Sequence, residues 1–279
     1  MLKAGDAERV AELMRETAAA ELLPRFRSLA KEDIRHKRPG DIVTVADEAS
    51  ELRLAAGLAR ILPGVPVVGE EAVEQDPSLV DLIKRPGETC WVVDPLDGTN
   101  NFAHGRDRFA MIVCLVHDTR TVGGWILDVP RGHMAVALHG QGVRLDGQPV
   151  RRGRPERPPV GFVGFKVRKE LDRHLPADRR RALGGLSTLG CAGAEYLEIL
   201  AGRADFNFYR VTKPWDHAAG ALMLAEAGGA AERFDGKPYG PAQPLNGGLI
   251  AAIDPGTLAE VRGLLEAAQL PLLAGLLPC

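Results

Sequence analysis

Hydrophobic residues recur at helical spacing in five segments of the chain, and each segment is predicted to be an α-helix. Val10, Leu13 and Met14 indicate an amphipathic opening helix, which Pro24 should kink or end. The other four helices are predicted within residues 44–62, 190–203, 214–229 and 254–265.

Short apolar runs bounded by turn residues predict strands between these helices. The runs "VPVVGEE" and "TCWVVDP" indicate two buried strands, and "FAMIVCLVHD", "VGGWILDV" and "HMAVALHG" indicate a series of antiparallel strands. After an arginine- and proline-rich stretch at 151–159, strands and helices alternate. We therefore predict an α+β half at residues 1–150 and an α/β half at residues 151–279.

Composition and charge exclude several classes of protein. The chain has 279 residues, 45% hydrophobic and 26% charged, with a net charge of −2, so no global field favours nucleic acid or an acidic membrane. Its N-terminus lacks an apolar signal core, and no segment has the ~18 apolar residues of a membrane span. The four cysteines, Cys90, Cys114, Cys191 and Cys279, form no C-x-x-C pair, which favours a reduced, cytoplasmic protein.

Two carboxylates, Asp94 and Asp97, stand where the buried run "WVVDPLDGTNNF" ends. On a regular strand, residues three apart point to opposite faces. Since Pro95 lies between them, we expect the chain to turn here and bring both carboxylates together. Their repulsion would be relieved by a divalent cation, and oxygen ligands favour Mg²⁺. The following Gly98 and Thr99 could offer backbone N–H groups to a phosphate; a plain Asp-Gly turn is the alternative.

Further acidic residues stand at the ends of other predicted elements. Glu70 and Glu71 follow a short apolar strand, and Asp216 lies in the first turn of a predicted helix. Each alone is explained by a solvated loop or a helix start. Together they indicate a ligand crevice at the edge of an open sheet.

These motifs resemble the inositol monophosphatase family, within the Mg²⁺-dependent, lithium-sensitive phosphatases that include the fructose bisphosphatases. The resemblance rests on "GDIVTVAD", "GEE", "WVVDPLDGTNNFAHG", "GCAGAEYLEILAGRADF" and "WDHAAGALMLAEAGG", in family order over nearly the whole chain. It implies an α+β fold, a layered αβαβα sandwich, with the site between the two halves.

The resemblance also implies roles for individual residues. The implied metal ligands are Glu70, Asp94 and the Leu96 carbonyl for a first ion, and Asp94, Asp97 and Asp216 for a second. Glu70 would also help to hold a third, weaker ion. The implied catalytic residues are Asp47, Thr99 and Glu70, the first two of which would orient and deprotonate the attacking water. Asp47 also has capping-box spacing from Thr44, and both roles can hold together.

The implied substrate site contains the residues that would bind the phosphate and the alcohol. They are Asp97, Gly98, Thr99, Gly190, Cys191, Ala192, Tyr209 and Asp216. Tyr209 stands where inositol-specific members carry an acceptor glutamate, which argues against inositol phosphate as the main substrate. Cys191 is expected to be a small hydrophobic residue in a helix cap, and Lys213 could reach a second phosphate or be surface charge.

The predicted function is a Mg²⁺-dependent phosphomonoesterase that hydrolyses a small polyol or sugar phosphate by direct in-line attack of water, without a covalent intermediate. The alternatives are a nucleotide-bisphosphate or histidinol-phosphate phosphatase, or a regulatory family member with weak activity. The expected partners are a small phosphorylated metabolite and a second copy of the chain, with neither nucleic acid nor membrane. Lithium inhibition is implied by the resemblance.

Overall fold

The structure is a computed structural model that describes residues 2–38 and 41–268. Cys279 therefore lies outside the described residues. In the first half of the chain the helices are α1 (Asp6–Thr17, continued by a π-helical turn at Ala18–Leu22), α2 (Val45–Ile61), α3 (Glu70–Gln75) and α4 (Thr99–Ala103). The strands are β1 (Ile34–Arg38), β2 (Asp41–Thr44), β3 (Val67–Gly69), β4 (Thr89–Asp97), β5 (Ala110–His117), β6 (Arg120–Asp128), β7 (His133–Leu138), β8 (Val143–Leu145) and β9 (Gln148–Val150). Two 3₁₀ segments occupy Lys31–Asp33 and Pro77–Lys84.

The second half continues with shorter strands and longer helices. Its helices are α5 (Phe165–His174), α6 (Ala177–Arg180), α7 (Ala192–Leu200), α8 (Pro214–Glu226) and α9 (Pro255–Ala267). Its strands are β10 (Gly161–Val163), β11 (Leu186–Ser187), β12 (Phe206–Tyr209), β13 (Ala230–Glu232) and β14 (Leu249–Ala252). No helix within the described ranges is long and apolar enough to cross a membrane.

Two mixed sheets form the framework. One has seven strands in the order β3-β4-β5-β6-β7-β8-β9, antiparallel except for the β3–β4 pair. The other has five strands in the order β11-β10-β12-β14-β13, with β10 parallel to both of its neighbours. A separate hairpin pairs β1 with β2, and the sequence patterns did not predict it.

Helices and sheets alternate in layers around three buried clusters. One cluster lies between α1, α2 and the seven-stranded sheet, and a second lies between that sheet and the α7/α8 layer. The third lies between the five-stranded sheet and helices α5 and α9. This arrangement confirms the predicted α+β fold of layered αβαβα type. The division at residue 151 stays a prediction, because α8 contacts both sheets.

The expected turn between Asp94 and Asp97 is wrong. Strand β4 continues through both residues, and a register shift separates the pairs Asp94–Ile112 and Asp97–Ala110. Three steps along β4 therefore match two steps along β5, which is a β-bulge. Because the extra residue interrupts the alternation of side chains, a bulge can bring both carboxylates to one side without ending the strand. The chain turns only at Gly98, whose φ is 86°.

Candidate active site

A cleft of about 190 Å³ opens between the two halves of the chain. Its lining is mostly polar and includes several of the carboxylates expected from the sequence. The lining residues are Ile42, Glu70, Asp94, Leu96, Asp97, Gly98, Thr99, Asn100, Gly190, Lys213 and Asp216. The first eight come from the N-terminal half, and the last three come from the C-terminal half.

Three carboxylates converge in this cleft from separate elements. Glu70 is the first residue of α3, Asp94 lies on β4, and Asp216 lies in the first turn of α8. One carboxylate oxygen from each lies within 4.8 Å of the others. This spacing would allow one ion to contact all three side chains.

The carboxylates of the cleft repel one another. Burial raises the pKa of Asp94 well above its ordinary value, and the nearby charges of Glu70, Asp97 and Asp216 raise it further. Burial and Glu70 likewise raise the pKa of Asp216. Ionising Asp94 and Asp216 beside the other carboxylates is therefore unfavourable, and a bound cation would relieve the repulsion. An all-oxygen donor set suits a hard divalent ion such as Mg²⁺, Mn²⁺ or Ca²⁺.

Asp97 joins the cleft to the start of α7. Its Oδ2 accepts hydrogen bonds from the Gly193 backbone N–H at 2.6 Å and from the Cys191 thiol at 3.1 Å. The Cys191 sulfur in turn accepts from the Ala194 N–H at 3.4 Å. Cys191 is thus a buried helix cap, as expected, and it also positions Asp97.

Asp47 and Thr99 form the pair that the resemblance implied. Asp47 Oδ2 accepts from the Thr44 N–H at 2.9 Å and from its hydroxyl at 2.6 Å, which completes the predicted capping box. Asp47 Oδ1 accepts from the Thr99 hydroxyl at 3.0 Å. Thr99 Oγ1 also lies 2.9 Å from the Leu96 carbonyl oxygen. Burial raises the pKa of Asp47 to about 6, although bonds from Thr44 and Thr99 oppose the rise.

Gly98 allows the chain to pass close to the backbone of Arg108. A Cβ at this position would lie 2.8 Å from the Arg108 carbonyl oxygen, and the positive φ would also strain any other residue. Asn101, which is buried, then connects this segment to the turn before α7. Its Nδ2 donates to the carbonyls of Arg108, Leu189 and Gly190 at 2.7, 2.8 and 3.2 Å.

Tyr209 turns its hydroxyl to a buried carboxylate. It donates a hydrogen bond to Glu195, which also accepts from the Thr188 hydroxyl at 2.9 Å and the Leu189 N–H at 2.8 Å. Burial raises the pKa of Glu195 to about 7, against the effect of these bonds. The Tyr209 ring packs on His217, with centroids 4.4 Å apart. Its hydroxyl is therefore engaged inside the protein.

The sequence reasoning missed two residues that support the site. Glu51 Oε2 and Oε1 accept from the Glu71 and Ala72 N–H groups at 2.9 and 2.8 Å, and so fix the start of α3. The second missed residue is Glu195, which binds the Tyr209 hydroxyl. The signal for Glu51 was its position four residues after Asp47, on the same helix face.

Lys213 reaches into the cleft and is more than a surface charge. Its Nζ lies 2.8 Å from Glu70 Oε1. Burial would lower the pKa of Lys213, but the negative charges of Glu70 and Asp216 outweigh this effect and raise it.

Comparisons with known proteins find related sequences and a similar fold. The sequence model described as "Inositol monophosphatase family" matches residues 6–269. A Nus factor SuhB from Pseudomonas aeruginosa is 32% identical over 231 residues, covering 78% of this chain and 82% of the relative. An inositol-1-monophosphatase from Rhizobium meliloti is 30% identical over 221 residues, covering 77% and 79%. A solved IMPase from Thermotoga maritima has a TM-score of 0.75 at 22% identity, covering 92% of this chain and 97% of that one.

Proposed function

Because the chain belongs to the inositol monophosphatase family, we propose that it is a Mg²⁺-dependent phosphomonoesterase for small polyol or sugar phosphates. The observation that carries the proposal is the convergence of Glu70, Asp94 and Asp216 within 4.8 Å. These side chains come from distant parts of the sequence, and burial together with the charge of Glu70 raises the pKa of Asp94 and of Asp216, so a cation would favour their ionised forms.

The proposed ligands are the residues already implied by the sequence: Glu70, Asp94, the Leu96 carbonyl, Asp97 and Asp216. When bound, Mg²⁺ would neutralise phosphate charge and increase the acidity of water. Hydrogen bonds within the chain orient the ligand side chains. Asp97 is fixed by Gly193 and Cys191, and Glu70 is fixed at the start of α3 by Glu51 through the neighbouring N–H groups.

Proton transfer is assigned to Thr99 and Asp47. Since the Thr99 hydroxyl has one proton to donate, donation to Asp47 Oδ1 leaves its oxygen able to accept a proton from the attacking water. Asp47 Oδ2 is held by Thr44, so the carboxylate keeps a constant orientation. With a pKa of about 6, Asp47 is mostly ionised at pH 7 yet more basic than an ordinary aspartate.

The phosphate is assigned to the N–H groups of Gly98 and Thr99, at the turn where β4 ends. The alcohol would face the turn Gly190-Cys191-Ala192, which Asn101 holds against this segment. Tyr209 carries a phenol rather than a carboxylate, and its hydroxyl proton is already donated to Glu195. We therefore expect a substrate other than inositol phosphate to be preferred.

The test is a panel of phosphomonoesters assayed with Mg²⁺, with and without Li⁺. We expect Mg²⁺-dependent, Li⁺-inhibited hydrolysis, with inositol phosphate well below the best substrate. Asp94→Asn should lower kcat by about 10³-fold or more while the circular dichroism spectrum is unchanged, because a ligand of both proposed ions is lost. Asp81→Asn, at an exposed position of the 3₁₀ segment Pro77–Lys84, is the matched control. Full activity of Asp94→Asn would contradict the mechanism.

A regulatory role is a second candidate, because a relative at 32% identity is named a Nus factor. A chain with that role alone would need none of the cleft carboxylates. If no phosphomonoester in the panel were hydrolysed with Mg²⁺, the hypothesis of a regulatory role would replace that of a phosphatase.

A further inference from the structure

Lys213 is the only cation among the described residues that line the cleft, and it stands opposite four carboxylates. Its Nζ lies 2.8 Å from Glu70 Oε1, across a sequence separation of 143 residues. The ion pair therefore connects the C-terminal half directly to a proposed metal ligand of the N-terminal half.

The backbone around Lys213 is held on both sides. The preceding Thr212 donates its N–H to the Leu245 carbonyl at 2.6 Å and its hydroxyl to the Pro244 carbonyl at 3.2 Å. The Lys213 carbonyl accepts from the Asp216 N–H at 3.2 Å, and the ammonium lies 5.6 Å from the centre of the Trp215 ring. The side chain thus starts from a fixed point, in contact with the helix that carries Asp216.

The Lys213–Glu70 pair is more exposed than Asp94 at the base of the cleft. The side chains of Lys213 and Glu70 are 34% and 17% exposed, whereas Asp94 is 2% exposed. The pair therefore lies nearer the mouth of the cleft. One Glu70 oxygen contacts the ammonium, so Glu70 would share its carboxylate between Lys213 and a metal ion.

We propose that the Lys213 ammonium takes the place of a third metal ion on Glu70, so that this chain works with two divalent cations. Four carboxylate charges are balanced by two divalent ions, and the lysine adds one positive charge to receive the phosphate dianion. A further cation at Glu70 would have to displace or repel the ammonium. This inference rests on the proposed function and changes the number of ions expected from the family resemblance.

The test counts bound ions rather than turnover. Mn²⁺ is titrated into the apoprotein with inorganic phosphate present, and free Mn²⁺ is followed by electron paramagnetic resonance. We expect two Mn²⁺ per chain for the wild type and for Lys213→Arg, and three for Lys213→Met, which keeps an apolar stem but removes the charge. Lys166→Met, at an exposed position on α5, is the matched control and should bind two.

Three Mn²⁺ per wild-type chain, or two per Lys213→Met chain, would overturn the proposal. Both results leave the phosphatase assignment standing, because the deeper ligands would still be loaded. A wild type that binds no Mn²⁺ would instead reject the metal-dependent function itself. Circular dichroism and the melting temperature of each variant establish that the proteins compared are folded.

Discussion

At the scale of single residues, the site depends on buried polar groups that are each held by several partners. Asp47 divides its two oxygens between the helix cap and Thr99, so one carboxylate serves folding and proposed chemistry together. Glu195 is similarly held by Thr188, Leu189 and Tyr209. An unpaired carboxylate at this depth would be costly, so each bond both positions and stabilises the group.

Glu195 gives a prediction about pH. Its pKa is about 7 in the folded chain and near 4.5 without the fold, so between these values the folded state holds a proton that the unfolded state has released. Stability should therefore fall as pH rises from about 4.5 to about 7, on the order of 2 kcal/mol relative to Glu195→Gln. Urea unfolding at several pH values measures this difference.

The matched control for this measurement is Glu198→Gln, on the same helix. The free energy of unfolding of Glu198→Gln should change with pH as that of the wild type does. A constant difference between the wild type and Glu195→Gln over this range would show that the buried carboxyl does not titrate there.

At the scale of elements, helices start where the chemistry is proposed. α3 starts at Glu70, α4 at Thr99, and α8 two residues before Asp216. Free N–H groups and the helix dipole favour negative charge at such positions. The start of α3 is unusual because α2, the helix that carries Asp47, also supplies the Glu51 carboxylate that caps it.

Glu51→Ala should loosen the start of α3 and so weaken metal binding by Glu70. We expect about a tenfold lower affinity for Mn²⁺, with a smaller change in kcat at saturating Mn²⁺, because the effect is on ligand position. Titration of Mn²⁺ by electron paramagnetic resonance measures the affinity. Glu48→Ala, which removes a half-exposed carboxylate on the same helix, should retain the wild-type value. Equal affinities in the two variants would reject this positioning role.

At the scale of the whole molecule, the two sheets and the α7/α8 layer between them bring the halves together at one acidic cleft. The N-terminal half supplies Glu70, Asp94 and Asp97, and the C-terminal half supplies Lys213 and Asp216. In addition to burial, Glu70 and Asp97 raise the pKa of Asp216 across this boundary, a repulsion that the single Lys213 ammonium offsets only in part. The stability of the assembled fold should therefore depend on divalent ions.

Mg²⁺ should raise the melting temperature of the protein. At about 100 times its dissociation constant, an ion that binds only the folded state adds about 2.7 kcal/mol, which corresponds to roughly 5–10 °C for a chain of this size. Differential scanning fluorimetry after chelation measures the shift, with NaCl at equal ionic strength as the control. A melting temperature that is unaffected by Mg²⁺ would contradict a cation site in the cleft.

The sequence by itself determined the features that depend on neighbouring residues. Helical spacing located α1, α2, α7, α8 and α9, and the capping box at Thr44 formed as predicted, because helix starts are set by side chains within three or four residues. The acidic residues at element ends were likewise visible as a pattern, and the family's motifs identified the fold. None of these features needs information from a distant segment.

Only the tertiary structure decided how distant segments pair. It replaced the expected turn at Asp94 with a bulge in β4, because the register against β5 sets the backbone there. It turned Tyr209 to Glu195, because β12 contacts α7. It placed Lys213 on Glu70, because packing of α8 against both sheets fixes where this lysine can reach. Local periodicity carries no information about such contacts, because each joins different elements and forms only when those elements pack together.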